Sequence, residues 1–208
     1  QCTAMQKDRK FNFAYAVIEM LSLFMAGREV VEPLIWHNPN MKNFQNPRTK
    51  LLDGSYADRL TRFQQLAHVY SVLKQDIYSR RAVLDFYNSY LDQHESTDIC
   101  CTLNIVYQVR NGVLNSTCFM RGNDAVWGIY DYTMFCWLQN VMATWLHLDL
   151  GTYTHIAASF HIYQDKVFEA NDIIAQKNGL REKHPLEFLP RWDVTSPTET
   201  FEQIKQFF

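Results

Sequence analysis

The chain has 208 residues, 47% of them hydrophobic and 14% aromatic, and a formal net charge of -2. That length and apolar content support one domain, residues 1–208, with a substantial core, and exclude a disordered chain. The near-neutral charge excludes a general electrostatic nucleic-acid binder, although a small phosphorylated ligand would need only a local cluster of arginines. The five cysteines are odd in number and form no C-x-x-C, so neither a disulfide framework nor a zinc site is expected. A reducing cytoplasm is the natural setting for such a chain. No apolar run has the length of a membrane span, and no segment reads as a signal peptide.

Residues 11–27 read as a buried helix closed by Gly27, with Glu19 as its single charge. A carboxylate in such a helix is either on the solvent face or partnered, protonated and functional. Residues 29–46 read as a second, shorter helix and a polar loop, punctuated by Asn38-Pro39 and Asn46-Pro47. A loop around Gly54 ends at Tyr56, and residues 58–77 carry apolar side chains at helical spacing. Ser79-Arg80-Arg81 then enters a strand over residues 82–87. Paired arginines there form either a solvated surface or a clamp for an anion, since guanidinium binds phosphate oxygens bidentately.

The stretch 101–124 reads as a hairpin, because Asn111-Gly112 tolerates positive φ at both turn positions. It starts with Cys101 and ends in Arg121, Asn123 and Asp124. A thiol held near a fixed cation suits a reactive cysteine; a core cysteine is the plainer alternative. Residues 127–131 read as a loop and 132–148 as a long apolar helix with Asp131 as its N-cap. Residues 151–163 read as a strand, with His161 and Tyr163 on one face. A helix over 165–178, a Pro-punctuated loop over 183–190 and a short amphipathic helix over 198–208 complete the chain.

Taken in order, the helix 11–27, the Tyr56 loop, Ser79-Arg80-Arg81-Ala82, Cys101, Arg121-Gly122-Asn123-Asp124 and His161-Ile162-Tyr163 resemble the thymidylate synthase superfamily, from about Arg9 to Phe168. Thr102 after the cysteine, Met120-Arg121 before Asn123-Asp124, and Tyr130-Asp131-Tyr132 resemble its phage deoxycytidylate hydroxymethylase branch. Asp131 falls where thymidylate synthases place the Asn that reads uracil, with one residue fewer in the preceding loop. A carboxylate accepts from cytosine's amino group, so this change is expected to favour cytosine.

The resemblance implies an α+β fold, a mixed twisted sheet covered by helices, dimerising through the sheet face. It implies that Cys101 attacks C6 of a pyrimidine nucleoside monophosphate and that 5,10-methylenetetrahydrofolate supplies a one-carbon unit to C5, with no metal. Glu19 and Tyr56 match the groups that handle proton transfers, and Asp131 the group that reads the base. Arg121 matches a phosphate ligand and the cation beside the thiol; His161 and Tyr163 match the pair on the sugar hydroxyl. Asp124, with Asn123, matches the folate site. Arg80 and Arg81 match arginines that reach the other subunit's phosphate, which implies a homodimer. Gly122 stands where the family usually has a phosphate-binding serine, and the family's N-terminal arginine loop and C-terminal tail have no counterpart. The implied reaction is hydroxymethylation of dCMP in a bacterial or phage-infected cytoplasm, without nucleic-acid or membrane partners. A CMP hydroxymethylase, a dCMP methylase, a thymidylate synthase and a non-catalytic nucleotide-binding dimer are the competing readings.

Overall fold

In the computed structural model, the described residues are 11–25, 28–92, 96, 98–175 and 196–205. They form a mixed four-stranded sheet, packed on one face by helices. Its strands, in the order in which they lie side by side, are β1 (Val83–Asp85), β2 (Thr102–Arg110), β3 (Val113–Met120) and β5 (Asp149–Ala157). β1, β2 and β3 pair antiparallel. The β2–β3 turn has φ of 52° at Asn111 and 78° at Gly112, the positive pair that the Asn-Gly dipeptide supplies.

β5 pairs parallel to β3, so the chain crosses over between them through α5 (Ile129–Leu146). Fourteen of its eighteen residues are buried, which explains a segment that is apolar all round. α5 begins earlier than the sequence pattern suggests. Asp131 therefore lies inside the first turn rather than at the N-cap, and Gly128 takes the cap position.

α1 (Phe13–Ser22) is capped by the Asn12 side chain, which accepts from the Tyr15 N–H, and it ends before Gly27, which lies outside the described residues. α2 (Arg28–His37) follows, then a 3-10 turn, Pro39–Phe44. The helix expected over residues 58–77 is two helices, α3 (Tyr56–Arg62) and α4 (Gln65–Gln75). Gln64 breaks them with a φ of 50°. The break frees the Gln65 side chain to bond both the N–H and the carbonyl of Asp85, each at 2.7 Å, which satisfies the sheet edge.

The strand expected over residues 151–163 is also interrupted. After β5 the chain steps sideways, and β6 (Phe160–His161) pairs parallel with β4 (Asn123–Asp124). α6 (Val167–Ala175) and α7 (Pro197–Lys205) complete the described elements. The loop expected over residues 183–190 lies outside them. No helix of the described residues is long and apolar enough to cross a membrane.

The two sheet faces differ. Leu84, Ile105 and Cys118 sit in register on the helix-covered face and are fully buried. Val83, Val106, Thr117 and Thr154 align across the other face, where Val83 and Ile156 are exposed.

Candidate functional site

A cavity of about 230 Å³ opens between α1, the Gly54–Tyr56 corner, the segment before β2 and the start of α5. Glu19, Tyr56, Cys101 and Asp131 all line it, although they are spread over more than half the chain. Their grouping follows from the packing of α1 against α5 and of α3 against β1.

Each of these groups is held by a neighbour. The Tyr15 hydroxyl, one helical turn before Glu19, donates to Glu19 Oε1 at 2.8 Å. The Thr102 hydroxyl donates to Tyr56 Oη at 2.8 Å, so the residue after the cysteine positions the phenol. Asn123 Nδ2 donates to Asp131 Oδ2 at 2.9 Å. The Asp98 carboxylate, also on the cavity wall, accepts from the Gly54 N–H at 2.8 Å.

Burial dominates the electrostatics. It raises Glu19 from an ordinary 4.5 to about 8, helped by the negative charge of Asp131 and opposed by the Tyr15 bond. It raises Asp131 from 3.8 to about 7, opposed by the Asn123 bond. Tyr56 is pushed up as well, by burial and then by Asp131. The cavity is thus a cluster of acids that hold their protons near neutral pH, the condition for general acid–base work.

Cys101 departs from the expectation of a cation-activated thiolate. Arg121 does pull its thiol down, but burial pushes it up by more, and Asp131 and Asp98 add to the rise. The Arg121 guanidinium is occupied: Nε donates to the Cys100 carbonyl and Nη2 to the Ile99 carbonyl, both at 2.9 Å. It therefore clamps the backbone that carries the cysteine while presenting charge at the surface.

Asp124 follows Asn123 on β4 and does not line the cavity. Its Oδ1 accepts from the Val126 and Trp127 N–H groups, both at 2.7 Å. Its Oδ2 is buried without a partner among the described residues. An orphaned carboxylate oxygen is an acceptor awaiting an N–H donor, and the amino and lactam edge of a pterin offers that donor. In this respect Asp124 fits a folate. Asn123, by contrast, is buried and spends its amide on Asp131 and Tyr132.

His161 and Tyr163 stack edge to face with ring centroids 5.1 Å apart. They lie beside β4 and do not line the cavity. Arg80 and Arg81 are exposed ahead of β1, also away from it, and their side chains form no ion pair among the described residues. Two supporting residues were not singled out from sequence. Tyr15 had a usable signal in its i, i+4 spacing to Glu19; Asp98 had none, because it acts through Gly54 across 44 residues.

The thymidylate synthase family profile matches residues 7–202. The chain is 32% identical to the deoxyuridylate hydroxymethyltransferase of Bacillus phage SP01, over 78% of this chain and 46% of that protein. It is 28% identical to the deoxyuridylate hydroxymethyltransferase of Pseudomonas phage M6, over 96% of this chain and 61% of that protein. It is 30% identical to a putative thymidylate synthase of Methanocaldococcus jannaschii, over 69% of this chain and 66% of that protein. The chain therefore spans about half to two thirds of the length of these relatives. The fold matches the crystal structure of thymidylate synthase from T4 phage with a TM-score of 0.73 at 16% identity, over 98% of this chain and 78% of that one.

Proposed function

The chain belongs to the thymidylate synthase family, and within it we propose a folate-dependent transferase that hydroxymethylates C5 of a cytosine nucleotide, dCMP to 5-hydroxymethyl-dCMP. The observation that carries this reading is the carboxyl group of Asp131 on the wall of the Cys101 cavity. Uracil offers an acceptor at O4 and a donor at N3, which an amide matches. Cytosine offers an amino donor at C4, which a carboxyl oxygen accepts.

In this reading burial keeps Cys101 a thiol at neutral pH, so its proton passes to solvent as Sγ forms the bond to C6 of the ring. The electron pair displaced from the ring double bond makes C5 nucleophilic, and Asp131 meets the charge that spreads toward N3 and C4. When bound, 5,10-methylenetetrahydrofolate supplies the one-carbon unit that C5 takes up. Tyr56 then guides removal of the C5 proton, the bond from the new carbon to the folate nitrogen breaks and tetrahydrofolate leaves, and the water that Glu19 positions adds to that carbon to complete the hydroxymethyl group. Expulsion of the Cys101 sulfur restores the ring. Asp124 holds the folate through its unpartnered oxygen. Arg121 takes the phosphate, and His161 with Tyr163 takes the sugar hydroxyl.

A second copy of the chain covers the open sheet face, and Arg80 and Arg81, exposed beside it at the start of β1, reach the partner's phosphate. The four described cysteines are free, which supports a reducing, cytoplasmic setting.

A second reading takes dUMP as the nucleotide. It is favoured by the phage relatives, which are deoxyuridylate hydroxymethyltransferases, and by the rise of Asp131 to about 7. A neutral carboxyl offers O–H to O4 and accepts from N3–H, as an amide does.

The test is tritium release from C5 of dCMP, CMP and dUMP in the presence of methylenetetrahydrofolate, with the product mass separating hydroxymethyl from methyl. Release from dCMP with a hydroxymethyl product is expected, and Asp131→Asn should move the preference toward dUMP by about 10- to 100-fold, the scale of one bidentate base contact. Release from dUMP alone overturns the cytosine reading. Release from none of the three overturns both.

A further inference from the structure

The surroundings of Asp131 treat its two carboxyl oxygens differently. Asn123 Nδ2 donates to Oδ2 at 2.9 Å. The amide is held in that sense, because the Tyr132 hydroxyl donates to Asn123 Oδ1 at 3.0 Å and the Asn123 N–H group also meets Met120 Sδ at 3.4 Å. Asn123 is only 3% exposed. Turning its amide over would set an oxygen against a carboxyl oxygen. Gly128 gives the amide its room, since a Cβ there would collide with Asn123 Oδ1 and with the Asp124 carbonyl.

A carboxyl group with one proton has one donor oxygen and one acceptor oxygen. Uracil needs the donor opposite position 4 and the acceptor opposite N3; cytosine needs the reverse. A carboxyl group with symmetric surroundings can place its proton on either oxygen and so serve either base. An N–H aimed at one oxygen removes that freedom, because an unprotonated oxygen accepts better than a hydroxyl oxygen.

We propose that Asn123 is a specificity-determining positioning residue: held by Tyr132, it commits Oδ2 of Asp131 to accepting, assigns the carboxyl's donor position to Oδ1, and thereby selects one pyrimidine edge over the other. The inference rests on the reading of Asp131 as the base-facing group and identifies what makes that group selective. Asn123 acts through Asp131, not on the substrate. With Asp131 raised to about 7, a proton is available to be placed at neutral pH.

The experiment compares the unmodified chain with Asn123→Ala and Tyr132→Phe. It measures kcat/KM and equilibrium binding for dCMP and dUMP, and the titration midpoint of Asp131 by carboxyl carbon NMR in nucleotide-free protein. The unmodified chain should separate the two bases by at least about tenfold, and Asn123→Ala should shrink this to within about threefold, the loss of one directed hydrogen bond. Tyr132→Phe should fall between. Asn123→Ala should also raise the Asp131 midpoint, since the lost bond holds it down. A base ratio unchanged in Asn123→Ala overturns the proposal, whether both rates fall together or only the KM for folate rises. The two kinds of failure separate cleanly. If the unmodified chain turns over neither nucleotide, the proposed function falls, and the ratio of dissociation constants still judges the role of Asn123. If the Asp131 midpoint does not move, the coupling itself is wrong.

Discussion

The Tyr15 hydroxyl donates to Glu19 Oε1 at 2.8 Å, and the carboxyl it holds faces that of Asp131 in the same cavity. Burial favours the protonated form of both acids, the charge of Asp131 raises Glu19 further, and Tyr15 limits how far Glu19 goes.

This pair makes stability depend on pH. Glu19 rises from 4.5 to about 8 on folding and Asp131 from 3.8 to about 7. The folded state therefore binds more protons than the unfolded state between these limits, and stability falls as pH rises. The contribution is fully present below about pH 4 and is lost as pH passes through about 7 to 8. Every tenfold gain in proton affinity on folding corresponds to about 1.4 kcal/mol. Urea midpoints recorded from acid to mildly alkaline pH should decline, and Glu19→Gln should flatten the decline. Tyr15→Phe should move the Glu19 titration upward.

The adjacent thiols should behave differently. Cys101→Ser should lower turnover by at least about 1000-fold, the scale on which loss of a nucleophile acts, with little change in the unfolding midpoint. Cys100 is buried and its thiol donates to the Gly54 carbonyl at 3.2 Å. Cys100→Ala should keep turnover and cost about 1 kcal/mol of stability. Mass-resolved alkylation should find Cys101 first, at a rate that climbs above neutral pH, because burial raises its thiol. Preferential labelling of Cys100 would contradict this assignment.

Arg59 and Asp92 form an ion pair at 2.8 Å with side chains only 3% and 2% exposed. Arg59 Nη2 also donates to the Asp53 carbonyl at 2.9 Å, and Asp92 Oδ2 accepts from the Asn88 N–H at 2.8 Å. The pair thus ties α3 to the segment after β1, behind the Gly54 corner of the cavity. Asp92→Ala should strand a buried guanidinium at a cost of about 3–5 kcal/mol. Thermal unfolding should drop by roughly 10 °C. A fall of only a degree or two would mean that water reaches Arg59.

Completion of the site in trans can be tested with two inactive variants. Cys101→Ala and the double variant Arg80→Ala/Arg81→Ala should each lose turnover. Mixed under conditions that allow subunit exchange, they should recover about a quarter of full activity, the statistical yield of one intact site in half of the dimers. No recovery, with exchange shown by mass, would place the arginines outside the partner's site.

Much of the fold can be read in local sequence. Asn111-Gly112 dictates its turn because the preference for positive φ belongs to those two residues. Glu19 stands out as one charge in an apolar helix, and Cys101 by its place at the head of a strand. The breaks at Gln64 and after β5 carry no such mark, because each answers to a distant partner, Asp85 for Gln65 and β4 for β6.

Chemical state was legible least of all. The sequence places Arg121 at the end of the hairpin that starts with Cys101, and a cation there suggests a lowered thiol. Tertiary packing decides otherwise. It spends the guanidinium on two carbonyls and buries the sulfur beside Asp131 and Asp98. Which residues exist, and which turns they favour, is a property of neighbours in the chain. How strongly a group holds its proton is a property of everything packed around it, and folding alone assembles that environment.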